Sequence, residues 1–123
     1  SSFARYCFLQ AKTTAIFQKA WRKDPSALPL QTLMEMATCN GAAAFGLHTG
    51  RIEEGYDADI QIVDTDNTFF LSPGPFLANF IYSAHSDCVD SLICRGKFLR
   101  RNRKVAGERG ILDRARDVLD GLR

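Results

Sequence analysis

The chain has 123 residues, of which 46% are hydrophobic and 24% charged, with a formal net charge of +2. That composition describes a globular protein rather than a disordered one. So small a net charge argues against a polyanion partner, and no apolar run is long enough to span a bilayer.

Residues 2–22 predict a helix. Phe3, Tyr6, Cys7, Leu9, Ile16, Phe17, Ala20 and Trp21 cover much of its circumference, and Arg5, Lys12 and Lys19 leave a narrow wet stripe. A helix that apolar wants partners on more than one side. The first 23 residues hold no acid, which faintly resembles a mitochondrial presequence. A packed helix with a basic outer stripe explains the same residues better. Asp24 to Pro29 then breaks the pattern, because each proline disfavours helix at the residue before it.

A second helix is predicted from Leu30 to Thr38, with Leu30, Leu33, Met34 and Ala37 on one face. Asn40-Gly41 interrupts it. Asn40 is the expected N-cap of a short third helix over 41–47, its side-chain oxygen taking a free backbone N–H. Gly46 or Gly50 can end that unit in a left-handed conformation.

From Gly50 the period changes to alternation. Ala58 to Asp64 reads as a strand with Ile60 and Ile62 on one face. Asn67 to Leu71 is a second strand candidate, and 72–75 a loop. Phe76 to Tyr82 is either a short helix or an irregular crossing. Val89 to Cys94 is a strand, Arg95-Gly96 a tight turn, and Lys97 to Arg100 the returning strand. A third short strand follows a turn near Asn102. The last helix is the clearest: Ile111, Leu112, Ala115, Val118, Leu119 and Leu122 share one face, with Asp113, Asp117 and Asp120 opposite.

Three runs carry a resemblance. DPSALPLQTLMEMATCNGAAAFGL, from Asp24 to Leu47, is similar to "DPTALPAEEALRMATINGARALGL". GRIEEGYDADIQIVD, from Gly50 to Asp64, is similar to "GSLEVGKKADLVLID". FLANFIYSAHSDCVDSLICRGKF, from Phe76 to Phe98, resembles "NLVYSA…xDVDTVIVDGK". Together, in this order, they resemble the C-terminal part of metal-dependent amidohydrolases, in the branch of methylthioadenosine/S-adenosylhomocysteine deaminases and chlorohydrolases. The pattern departs at Tyr56 (usually lysine), at Cys39 (usually aliphatic) and at Arg101-Asn-Arg103 (usually an acidic turn).

The resemblance implies an α+β chain. Residues 1–48 would be the last helices of a (β/α)8 barrel, 49–105 the C-terminal strands of a small β-sandwich, and 106–123 a closing amphipathic helix. A barrel enzyme keeps its catalytic residues at the C-terminal ends of its strands. The histidines and aspartate that bind a divalent metal, zinc or iron, would therefore precede Ser1. The missing initiator methionine suits such a fragment. The parent would hydrolyse a C–N bond, deaminating a purine or related heterocycle; the chain alone is expected to be inactive, with no cofactor, catalytic residue or metal ligand of its own. Structural roles fall to Asn40, Gly55, Asp57, Asp59 and Gly96. The expected partner is the rest of the amidohydrolase chain or a second copy. The alternative is a non-enzymatic dimerisation or docking module derived from that fold. Stripped of a barrel, the first helix would then leave Phe8, Ile16, Phe17 and Trp21 partly in water.

Other constellations weigh less. His85 and Cys88 have metal-ligand residue types, but no spacing completes a four-ligand zinc site. His85 reads as a polar loop residue, with a role beside the active-site rim as its only functional alternative. No nucleophile elbow surrounds Ser83 or Ser86. Six cations lie between Arg95 and Lys104, yet only Phe98 interleaves them. A solvated hairpin guarded against edge pairing explains them better than nucleic-acid binding. Cys7, Cys39, Cys88 and Cys94 show no C-x-x-C and read as reduced thiols, which places the protein in the cytoplasm. No membrane partner is implied.

Overall fold

The computed structural model describes residues 2–123, with side chains from residue 9 onward. Phe3, Arg5, Tyr6, Cys7 and Phe8, which entered the reading of the first helix, have side chains outside the described residues.

Helix α1 spans Ser2–Arg22. Its packing takes in part of the expected wet stripe, while the bare apolar face is the one expected of this helix without a barrel. Lys12 and Lys19 are half-buried, whereas Leu9, Ile16, Phe17 and Trp21 are exposed, Trp21 by 76%. The reason lies in what α1 meets. Its small residues Ala11 and Ala15 let α2 (Leu30–Glu35) and α4 (Phe76–Tyr82) approach closely. Lys19 then lies against Tyr82, its Nζ donating to the phenol oxygen at 2.6 Å and lying 5.2 Å from the ring centroid. Ala15, Leu33 and Ile81 form the core cluster, with Leu28, Met34 and Phe80 packed around it.

After α2 the helix does not stop. It widens into a π-turn over Met36–Asn40 and resumes as α3, Gly41–Ala44. The expected N-cap at Asn40 is therefore corrected. Asn40 has helical φ and ψ, and its side chain caps no backbone N–H. The Gly41 N–H is already bonded to the Thr38 carbonyl, so the helix flows through without an open first turn. Two side chains explain the widening. Thr38 Oγ1 donates to the Met34 carbonyl at 2.7 Å, and Cys39 Sγ to the Glu35 carbonyl at 3.7 Å. Such back-bonding competes with the i→i−4 ladder and distorts helices.

The sheet has four antiparallel strands in the order β1-β2-β3-β4, comprising Ile60–Val63, Val89–Cys94, Lys97–Arg101 and Lys104–Val105. Ile60 pairs with Ile93, which pairs with Phe98, so apolar residues line up across three strands. Both hairpins turn on two residues with positive φ, Arg95-Gly96 (49° and 78°) and Asn102-Arg103 (49° and 66°). That is the type I′ geometry whose twist matches the strands.

The second strand candidate, Asn67 to Leu71, is corrected to a single 3-10 turn at Thr68–Phe70. Asn67 decides this. Its side-chain oxygen accepts from the Phe69 N–H at 3.0 Å, and its Nδ2 donates to the Asp64 carbonyl at 2.7 Å. An asparagine bonding the backbone two residues on makes a turn rather than a strand. Residues 76–82 are helical, resolving the open alternative. The final helix, α5, spans Glu108–Gly121 and leaves Ile111, Leu112, Val118, Leu119 and Leu122 exposed.

Candidate functional site

Asp59 stands directly before β1, at the seam between the helical part and the sheet. One carboxylate oxygen accepts from Thr49 Oγ1 at 2.6 Å and the other from the Arg95 backbone N–H at 2.8 Å. The Thr49 hydroxyl first, and then the Arg95 amide, hold its carboxyl below the ordinary 3.8. Beside it, the Asp57 N–H donates to the His48 carbonyl at 2.7 Å, and the Asp57 carboxylate lies 3.9 Å from Arg95 Nε. The Gly96 N–H donates to the Ala58 carbonyl at 3.1 Å. Asp57, Asp59 and Gly96 thus meet where the β2-β3 turn folds over the entry to β1. Partial loss of solvent and then the Asp59 carboxylate push the Cys94 thiol up. Gly55 lies apart, at φ +85° with open space around it.

Gly50 is the glycine that geometry demands most. A Cβ there would stand 2.7 Å from the Thr38 carbonyl carbon and 2.9 Å from Cys39 Cα, and its φ is +85°. The loop entering the sheet region thus lies directly on the π-turn. The alternation that begins at Gly50 marked a boundary, but no local pattern indicated this contact.

Two further residues escaped sequence reasoning. Asn79 is 7% exposed; its Nδ2 donates to the Ser72 carbonyl at 3.0 Å, while its own carbonyl receives the Ser83 and Ala84 N–H groups at 3.0 and 2.9 Å. It fastens the 72–75 loop to the end of α4. Arg103 reaches from the β3-β4 turn to the Asp64 carboxylate at 2.6 Å and to the Asp87 carbonyl at 2.5 Å. The hairpin is solvated as expected, with Arg95, Lys97, Arg101, Arg103 and Lys104 exposed, but its cations also make specific contacts. Arg103 ties the hairpin to β1, and Arg101 lies 4.8 Å above the Phe98 ring. Arg100 Nε is buried.

His85 is exposed and sets its ring edge-on against Phe69, with centroids 4.9 Å apart. His48 meets Tyr56 in a similar edge contact at 5.9 Å. Both imidazoles are thus engaged with aromatic rings, in separate loops. Among the described residues no group of three or more His, Cys, Asp or Glu side chains can hold a metal ion. The donor sets present among the described residues do not fit a zinc or iron centre.

This arrangement orders a scaffold and leaves broad apolar faces uncovered on α1 and α5. A family model described as "Amidohydrolase family" matches residues 5–99. The chain belongs to the amidohydrolase family. This amidohydrolase chain is 38% identical over 96 residues to a 5-methylthioadenosine/S-adenosylhomocysteine deaminase of Aquifex aeolicus, covering 78% of the chain and 22% of that relative. It is 40% identical over 98 residues to a 5'-deoxyadenosine deaminase of Methanosphaera stadtmanae, covering 80% of the chain and 23% of the relative. Its fold matches the crystal structure of an adenosine deaminase from Xanthomonas campestris with bound zinc, with a TM-score of 0.81 and 30% identity, over 92% of the chain and 27% of that structure. The chain therefore corresponds to part of an amidohydrolase and spans about a quarter of the length of these relatives. Among the described residues no helix is long and apolar enough to cross a membrane.

Proposed function

We propose that this chain is the C-terminal part of a metal-dependent amidohydrolase that deaminates an adenosine-type nucleoside. The parent would hydrolyse the C–N bond of the ring amino group and release ammonia. Residues 1–48 would close its barrel, 49–105 would complete its sandwich, and 106–123 would be its closing helix. The residues that hold its zinc or iron would lie outside this chain. On this reading the Asp59 and Arg103 contacts are structural, and the partner is the remainder of the enzyme or a second copy. The working compartment would be the cytoplasm, a reading supported by unpaired thiols at Cys39, Cys88 and Cys94.

The likeness to the deaminases supports the activity, and one structural observation carries the reading that the chain is part of a larger body. The chain exposes 9452 Å². A compact monomer of 13.7 kDa exposes about 6,600 Å² by the usual scaling of area with mass. The difference, about 2,900 Å² on this side alone, is at least one partner's share of an obligate interface, whose two sides together bury about 2,000–5,000 Å² or more. It includes the stacked Phe17–Trp21 pair on α1, with ring centroids 6.0 Å apart. Burying each large apolar side chain contributes about 1.5–3 kcal/mol, so such faces call for a partner body.

The test is a graft. The matching quarter of the Aquifex deaminase is replaced by residues 1–123, and ammonia release from 5-methylthioadenosine and S-adenosylhomocysteine is followed. The chimera is expected to turn over, and the 123-residue chain alone to release no ammonia. A folded chimera that binds zinc yet is silent on both nucleosides would overturn the proposal, as would turnover by the isolated chain.

A further inference from the structure

We draw no further inference here: the strongest candidate, the bare apolar stripe of α5 formed by Ile111, Leu112, Val118, Leu119 and Leu122, carries nothing because nothing in the structure shows what covers it.

Discussion

The Arg103 guanidinium donates to the Asp64 carboxylate at 2.6 Å, joining the β3-β4 turn to the end of β1 across a separation of 39 residues. The same side chain donates to the Asp87 carbonyl, and the Arg103 backbone N–H donates to the Asp90 carbonyl at 2.8 Å. This fork is what holds a non-glycine residue at φ +66°. Arg103→Ala is expected to destabilise the chain by about 1–2 kcal/mol, between a solvent-screened ion pair and a charged hydrogen bond. Arg103→Lys should recover little, because an ammonium cannot bond both acceptors in the guanidinium's planar geometry. Urea unfolding midpoints of the three proteins decide it. Equal midpoints for wild type and the lysine variant would refute the fork.

Gly50 and Gly55 share a φ of +85° but not a neighbourhood. Gly55→Ala meets open space and should cost about 1 kcal/mol in backbone strain alone. Gly50→Ala adds a collision with the Thr38 and Cys39 backbone and should cost at least about 2–3 kcal/mol. The two alanine variants, compared by thermal melting, should therefore rank clearly. Indistinguishable melting temperatures would count against the close approach of this loop to the π-turn.

The Asp59 carboxylate makes stability depend on pH in a defined direction. Its folded value lies below the ordinary 3.8 because the Thr49 hydroxyl and the Arg95 amide bond the charged form. Its contribution is complete well above 3.8 and fades as pH falls through the folded value. Asp59→Asn should be less stable near neutrality and lose less on acidification, so the two stability curves converge in acid. Parallel curves down to the acid limit would show that this carboxylate is not responsible.

Cys94 reports on the same contact. Removing the Asp59 anion should lower the raised thiol and increase its thiolate fraction. Alkylation of Cys94 by iodoacetamide at pH 8, located by peptide mass, is expected to be faster in Asp59→Asn. A slower or unchanged rate would contradict the geometry.

Trp21 is the only tryptophan and is 76% exposed. Its fluorescence in the isolated chain should resemble that of a hydrated indole. In the Aquifex graft, with any other tryptophan replaced by phenylalanine, emission should move to shorter wavelength if the rest of that enzyme covers α1. Emission as red as that of the free chain would mean that the grafted body does not cover this face.

Periodicity and turn chemistry made much of this protein legible as sequence. The Arg95-Gly96 hairpin, the strands on either side of it and the amphipathic α5 depend on neighbours within a few residues, and those neighbours are written side by side. The three family-like runs carried the likeness to amidohydrolases for the same reason, since each is a contiguous string. Asn40 and Asn67 show the limit. Both residues favour caps and turns, but only Asn67 became a cap. Thr38 and Cys39 drew the helix through Asn40 as a π-turn, whereas Asn67 bonded its own loop and ended a strand before it began.

The tertiary structure alone decided that α1 also packs on part of its charge stripe. The stripe marked Lys12 and Lys19 as the wet face, but Tyr82 holds Lys19 inward and both lysines are half-buried. It also decided the links that position the sheet. Asp59 meets Arg95 across 36 residues and Asp64 meets Arg103 across 39. Contacts at that distance along the chain leave no periodic trace, because they arise only after the backbone has closed long loops and brought unrelated segments within hydrogen-bond reach.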